Sequence, residues 1–174
     1  MSFIAPPDSK ASLLVVADVH GNYPTLLRLL GEAGLIDERG RRRPGWWACQ
    51  LGDLLHLGHD VWGADREALK LGLEFFDCLL LGNHEAPYFG SIKGGFAGMH
   101  EALDPELQSL LNQALRAGRY QLAAATRGWL ITHAGLSSAW AANPVVPAQL
   151  RRRLEGCGFE PEQLAEHLNQ SLQL

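Results

Sequence analysis

Residues 13–22 decide how this chain is organised: they read Leu13-Leu14-Val15-Val16-Ala17, followed by Asp18-Val19-His20-Gly21-Asn22. The apolar run predicts a strand buried on both faces, and residues 23–33 carry leucines at helical spacing. Open α/β sheets bind ligands beyond the carboxyl ends of their strands, where this loop lies. Asp18 and His20 can reach one metal ion together, although such a pair alone also fits a helix cap and a surface histidine.

Three later apolar runs end in clusters of the same kind. Residues 46–51 lead into Gly52-Asp53, residues 77–81 into Gly82-Asn83-His84-Glu85, and residues 129–132 into His133-Ala134-Gly135. Each cluster offers an oxygen or imidazole ligand beside a glycine, which lets the backbone approach a ligand closely. This ligand set suits Mn²⁺, Fe or Zn²⁺, and the lack of thiolates argues against structural zinc.

Two metal ions explain the ligand set better than one. The five candidate ligands are Asp18, His20, Asp53, Asn83 and His133. They exceed what a single catalytic ion binds while keeping an open position. Paired ions need a bridging ligand, and a carboxylate has two oxygens for that role. Asp53, central in the set, is the predicted bridge.

Composition narrows the class of protein. The chain has 174 residues, 47% of them hydrophobic and 20% charged, so we expect one soluble globular domain. A net charge of -4 argues against general binding to nucleic acid or anionic membranes, and no apolar run is long enough to span a membrane. Three widely spaced cysteines predict reduced thiols, and with no signal peptide in sight we expect a cytoplasmic protein.

The pattern between the motifs predicts mostly helices. They lie at 23–33, 67–76 and 105–117, with further helical patterns at 147–154 and 161–172. Residues 120–125 and 129–132 predict a hairpin around Thr126-Arg127-Gly128, and 86–99 a glycine-rich loop flanking the site. The basic stretch 39–45 predicts a solvated turn, with an arm that attracts phosphate-bearing substrates as the alternative.

Taken together, the four ordered motifs resemble those of the calcineurin-like metallophosphoesterases. They are Asp18-Val19-His20-Gly21, Gly52-Asp53, Gly82-Asn83-His84-Glu85 and His133-Ala134-Gly135-Leu136. The complete Gly-Asn-His-Glu and the His-Ala-Gly-Leu favour the phosphoprotein phosphatase (Ser/Thr phosphatase-like) branch. The resemblance covers roughly residues 12–140 and implies an α/β fold: a central mixed β-sandwich flanked by helices, in four layers.

The resemblance also implies roles for the matching residues. Asp18 and His20 would bind the first metal, Asp53 would bridge, Asn83 and His133 would bind the second, and His84 would be the general acid. A metal-bound water would attack the phosphate ester. Mn or Fe is the expected metal, with Zn as an alternative, and Glu85 is expected to be a structural carboxylate rather than a ligand.

Three departures from the family pattern bear on activity. His56 and Leu57 stand where the family's second motif usually has Asp and Arg, and Leu81 stands where Arg often precedes the third motif. The family's later Gly-His, which completes the second metal site, has no counterpart, because His167 lies in a helical pattern without glycine. The chain is then a short member, lacks the family's C-terminal portion, or holds its second metal with fewer ligands.

Three functions remain open at this stage. The leading one is hydrolysis of a phosphate ester, on a phosphoprotein or a small phosphorylated molecule, with no nucleic acid or membrane as partner. A dinucleoside-polyphosphate or cyclic-nucleotide hydrolase is the second, for which Trp62, Tyr88 and Phe89 are the candidates to stack a nucleobase. The third is a degraded member that binds metal and phosphate and acts as a regulatory module. The residues that would select a substrate are not identified by the sequence.

Overall fold

The computed structural model describes residues 10–55, 64–89, 105–135, 148, 152 and 160–170. Its strands are β1 (Ser12–Val16), β2 (Trp46–Gln50), β3 (Cys78–Leu80), β4 (Tyr120–Gln121), β5 (Ala123–Thr126) and β6 (Trp129–Thr132). Its helices are α1 (Tyr23–Glu32), α2 (Asp65–Phe75), α3 (Pro105–Arg116) and α4 (Pro161–Gln170), with a 3₁₀ turn at Ala86–Phe89.

Two sheets form the centre of the molecule. Strands β1, β2, β3 and β4 are parallel and lie side by side in that order. Strands β5 and β6 form an antiparallel hairpin closed by Arg127 and Gly128, whose φ angles of 52° and 77° are those of a tight two-residue turn. Because the first sheet is parallel, the loops that leave its strands gather at one edge.

Side chains alternate between the two faces of each strand, and the elements they pack against form four layers. In β2, Trp47 and Cys49 point into an apolar cluster that includes Ala124 of β5, so this cluster fills the space between the sheets. Ala48 of β2 belongs instead to the large core cluster that α1, α2 and α3 cover. On the outer face of the hairpin, Ala123 packs with Leu164 of α4. The order helix, sheet, sheet, helix confirms the predicted mixed α/β sandwich.

Helix α1 fixes the exit from the first loop. The Asn22 side chain accepts a hydrogen bond from the Thr25 amide at 3.2 Å, and Pro24 occupies the first turn, where its missing N–H costs nothing. Leu26 and Leu30 are fully buried against the first sheet. Residues 18–22 are therefore held between a strand and a capped helix.

Some predicted elements need correction. Strand β1 is not buried on both faces, since it ends the described strand order of the first sheet and the exposed fraction of Val15 is 45%. The hairpin begins at Ala123, because Tyr120 pairs with β3 in the parallel sheet instead. Most of the helical pattern at 147–154 and most of the loop 86–99 fall outside the described residues, although Ala148 and Arg152 are described as helical.

The basic stretch precedes β2, at the end of the sheet opposite the motif loops. Arg41 forms an ion pair with Asp37 at 2.8 Å, and Arg42 forms one with Asp77. The Arg41 contacts lower the pKa of the Asp37 carboxyl. These contacts favour the solvated turn over an arm that attracts substrate. In the described residues, no helix has the length and apolar character to span a membrane.

Candidate metal centre

The loops after β1 and β2 are joined through their backbones. The amides of Val19 and His20 both donate to the Asp53 carbonyl at 2.9 Å, and the Gly21 amide donates to the Leu54 carbonyl at 2.8 Å. These bonds continue the pairing of the two strands past their ends. The first motif therefore cannot move independently of the second.

Two site residues have a backbone conformation that side chains rarely adopt. The φ angles of His20 and Asp53 are 50° and 52°, in the left-handed region. Such a conformation costs on the order of 1–3 kcal/mol and persists only where the surroundings enforce it. Strain of this kind is concentrated at active sites and ligand clamps, and here it occurs in both of the first two motifs.

The second and third motifs approach each other at two glycines. A Cβ added to Gly82 would lie 2.1 Å from Asp53 Oδ1 and 2.2 Å from its amide nitrogen. A Cβ on Gly52, whose φ is 103°, would lie 2.7 Å from the Gly82 amide nitrogen and 2.8 Å from Nδ1 of His133. The missing side chains are what allow three motif loops to meet.

The carboxylate of Asp53 lies between two imidazoles. Its exposed fraction is only 4%, and Oδ1 accepts the backbone N–H of His84 at 2.9 Å. Oδ2 lies 3.8 Å from Nε2 of His84, and Oδ1 lies 3.6 Å from Nε2 of His133. A buried carboxylate with one oxygen directed to each side has the arrangement that a bridging ligand needs.

The orientation of His133 indicates a cation site. Its Nδ1 lies 2.9 Å from the Leu51 carbonyl, which can only accept, so Nδ1 carries a proton. In the neutral ring Nε2 then presents a lone pair, 3.0 Å from Oδ1 of Asn83 and 3.6 Å from Oδ1 of Asp53. In the neutral ring these three acceptor atoms repel one another, and either a bound cation or a proton on Nε2 relieves that repulsion. A backbone carbonyl on the far nitrogen is how metal-binding histidines are commonly held. The donor set thus fits a metal ion.

The first motif closes the opposite side of the cluster. Nε2 of His20 lies 3.8 Å from Oδ2 of Asp18, and Asp18 Oδ1 lies 4.0 Å from Nδ1 of His133. One ligand atom each from His20, Asp53 and His84 lies within 4.8 Å of the others. The side chains of Asp18 and His20 are 48% and 39% exposed, so the site opens to solvent on this side.

All six residues singled out from the sequence therefore lie together. The structure groups His84 with His20 and Asp53, and the centroids of its ring and the His20 ring are 4.5 Å apart. The roles remain predictions: His84 is near enough to serve as a ligand as well as an acid. His56 and Leu57, which depart from the family pattern, lie outside the described residues.

Glu85 acts as a structural carboxylate in this arrangement. It is fully buried, and its oxygens accept the backbone N–H groups of Asp53, Gly82 and Leu55 at 2.9, 3.0 and 2.9 Å. Burial raises the pKa of Glu85 to about 7 and the Asp53 charge adds to the rise, while the three amide donors act in the opposite direction. No carboxylate oxygen of Glu85 is among the grouped ligand atoms of the described residues.

Sequence reasoning missed Gln50, which is fully buried at the end of β2 and bonded to Gly52. Nothing in the pattern marked it, because a single polar residue in an apolar run is common. Tyr88 proves unsuitable for stacking a base, since it is buried in the main core with an exposed fraction of 3%. Trp62 and the Phe89 side chain lie outside the described residues.

Three histidines belong to no motif, and one of them, His167, is among the described residues. His167 lies on α4, in the layer outside the second sheet, and is half-buried. No described contact joins it to the six residues. His59 and His100 lie outside the described residues.

Comparisons with known proteins support the family that the four motifs resemble. A family model described as calcineurin-like phosphoesterase matches residues 11–167. A crystal structure of a protein provisionally described as a diadenosine tetraphosphatase matches with a TM-score of 0.55 and 19% identity, over 82% of this chain and 57% of that chain. No curated protein matches the sequence.

A second solved structure is that of a protein serine/threonine phosphatase from Saccharomyces cerevisiae with similarity to human phosphatase PP5. It matches with a TM-score of 0.49 and 19% identity, over 78% of this chain and 42% of that chain. The chain thus spans 57% of the length of the first solved structure and 42% of the second. At such identity the first structure supports the fold alone.

Proposed function

Because the chain belongs to the calcineurin-like phosphoesterase family, we propose that it is a metal-dependent hydrolase of phosphate esters. The observation that carries the proposal is the meeting of five other motif side chains around the buried Asp53 carboxylate, with Nε2 of His133 3.0 Å from Asn83 Oδ1 and 3.6 Å from Asp53 Oδ1. Asp53 would bridge two divalent ions, Asp18 and His20 would bind one, and Asn83 and His133 the other. Mn or Fe is the proposed metal, and Zn is the alternative.

Bound divalent ions would supply Lewis acidity, which makes water nucleophilic near neutral pH and offsets negative charge on phosphoryl oxygens. The chain itself orients the ligands. The Leu51 carbonyl fixes the proton of His133 on Nδ1, and the Glu85 carboxylate binds the amides on either side of the Asp53–Gly82 contact. The ligands are therefore set before any substrate arrives, which reduces reorganisation during the reaction.

His84 is the proposed proton donor to the leaving oxygen. Its side chain is 17% exposed, so it can meet a substrate while remaining fixed, and its backbone N–H is held by Asp53. A positioned general acid contributes typically about 10²–10⁴ in rate.

Two substrate classes follow from different observations. The full Gly82-Asn83-His84-Glu85 motif favours the phosphoprotein phosphatase-like branch, with a phosphorylated protein or small molecule as substrate. The second candidate is a dinucleoside-polyphosphate or cyclic-nucleotide hydrolase, and one structure that shares the fold is provisionally described as a diadenosine tetraphosphatase. A regulatory module without turnover is the third, favoured by His56 and Leu57.

A substrate panel separates these candidates. Purified protein loaded with Mn²⁺ is assayed on an aryl phosphate, a bis-aryl phosphate, a serine phosphopeptide and a dinucleoside tetraphosphate. Turnover of the phosphopeptide above the tetraphosphate supports the first class, and the reverse order supports the second. Binding of Mn²⁺ without turnover of any of the four would contradict the enzymatic proposal and favour the regulatory module.

A further inference from the structure

Gln50 is a fully buried polar side chain directed at the backbone of the second motif. Its Nε2 donates to the Gly52 carbonyl at 2.6 Å, and its Oε1 accepts the Gly52 amide at 2.9 Å. Both ends of the side-chain amide are thus used by one glycine. Because Gly52 can otherwise adopt many backbone conformations, this pair of bonds removes most of its freedom.

The other side of the same loop is held by Glu85, which accepts the amides of Asp53 and Leu55. Of the four backbone N–H groups of residues 52–55, three therefore donate to a buried side chain from outside the loop, either Gln50 or Glu85. A loop fixed in this way keeps its shape independently of solvent.

The conformation that these bonds enforce is the strained one. Asp53 has a φ of 52°, which an unrestrained aspartate leaves for the extended region. A change of that backbone angle would rotate the carboxylate away from His84 and His133, on which the bridging arrangement depends. Gly52 immediately precedes Asp53, so loss of its two bonds is the simplest way to release the strain.

We propose that Gln50 is a positioning residue for the metal centre, which holds Gly52 so that the Asp53 carboxylate faces both imidazoles. Both ends of the Gln50 amide are bonded to Gly52, so Gln50 would act on the metal through Asp53 alone. The inference rests on the proposed function, because it takes the cluster to bind metal. It goes further by assigning a role to a residue that lies outside the four motifs.

The test compares two buried glutamines of the same sheet. Gln50→Leu removes both bonds to Gly52 at similar volume, and Gln50→Met does so with a more flexible side chain in case the first variant does not fold. Gln121→Leu is the matched control: Gln121 ends β4, is 6% exposed, and accepts from Cys78 and Asn169 rather than from the loop. Mn²⁺ affinity is measured by electron paramagnetic resonance, and folding by circular dichroism.

We expect each folded Gln50 variant to bind Mn²⁺ about tenfold more weakly than the wild type, as is usual when a residue that supports a ligand is lost. Gln121→Leu should bind Mn²⁺ as the wild type does. Affinities of the Gln50 variants within twofold of the wild type would overturn the inference, as would an equal loss in Gln121→Leu, which would indicate general destabilisation.

The wild-type protein provides two further readouts. The Gly52 amide should exchange slowly with solvent deuterium, since it is buried and bonded to Gln50, and rapid exchange would overturn the inference without any variant. If the wild type binds no Mn²⁺, the proposed function and this inference fail together. If it binds Mn²⁺ and hydrolyses ester while the Gln50 variants match it, only the inference fails.

Discussion

Among the single residues of the site, Asp53 combines burial, backbone strain and contacts to two histidines. Its carboxylate lies 3.6 Å from His133 and 3.8 Å from His84, in a loop that two buried side chains hold. A change that preserves shape and removes charge therefore isolates its electrostatic role. Asparagine is that change.

Asp53→Asn should abolish tight metal binding, because a neutral amide offers one weak oxygen where a charged carboxylate offered two. Hydrolysis of an aryl phosphate should fall by at least about 100-fold, as expected for a group that orders the charged site. Metal content is measured by elemental analysis of the purified variant. Unchanged metal content together with unchanged turnover would show that Asp53 is no bridge.

His84→Ala tests the proposed acid separately from the ligands. We expect kcat to drop by about 10²–10⁴ while Mn²⁺ remains bound, because a proton donor acts on the reaction and not on the metal. The kinetic measurement is paired with a Mn²⁺ titration of the same variant. Loss of Mn²⁺ instead would make His84 a ligand, which its place beside His20 and Asp53 also allows.

At the scale of elements, Asn169 of α4 supports the crossing from the first sheet to the second. Its Oδ1 accepts the amides of Leu122 and Ala123 at 2.7 and 3.0 Å, and its Nδ2 donates to the Ala123 carbonyl at 2.8 Å. The chain leaves β4 and enters β5 at this point, so these amides cannot be used by a regular ladder. The Asn169 side chain supplies hydrogen bonds to these amides in place of a neighbouring strand.

Asn169→Ala should lower the free energy of unfolding by about 2 kcal/mol, because it leaves backbone donors without a partner. In a chain of this size that corresponds to a fall in Tm of roughly 5 °C. Gln170→Ala, on the same helix with an exposed bond to Glu166, is the control and should change Tm little. Equal Tm values for the two variants would contradict the role of Asn169.

The sequence predicted elements better where the pattern was local. Helix α1 was predicted within one residue, because Asn22, Pro24 and the leucine spacing all act within the helix itself. The position of Tyr120 in the parallel sheet was not predicted, because strand pairing depends on a partner far along the chain. Gln50 escaped notice for a different reason: its bonds to Gly52 are local in the sequence, but they exist only in the folded loop.

The candidate site could be predicted because ligands recur after successive strands, and the parallel order brings those loops to one edge. Distances could not be predicted, and they matter for His84. The family resemblance implied an acid beside the metals, whereas the folded chain places a ligand atom of His84 within 4.8 Å of ligand atoms of His20 and Asp53. Orientation of a ring depends on packing, which a motif does not encode.

At the scale of the whole molecule, the candidate metal centre lies where the two sheets meet at their loop edge, so metal binding should stabilise the fold. A ligand at one hundred times its Kd adds about 2.7 kcal/mol to the free energy of unfolding, provided that it does not bind the unfolded chain. We expect saturating Mn²⁺ to raise Tm by roughly 5–10 °C over protein treated with EDTA. In the control, Ca²⁺ replaces Mn²⁺ in buffer free of Mg²⁺. An equal rise in Tm with Ca²⁺ would indicate a nonspecific effect of divalent ions.

The central claim is that motif residues from both sheets form a metal-dependent hydrolytic site. It is tested most directly by measuring Mn²⁺ equivalents bound per chain together with turnover of an aryl phosphate, in the same metal-free preparation as Mn²⁺ is added. We predict two equivalents bound, with hydrolysis that rises in parallel and disappears again with EDTA. One equivalent or none, with no hydrolysis in excess Mn²⁺, would contradict the claim.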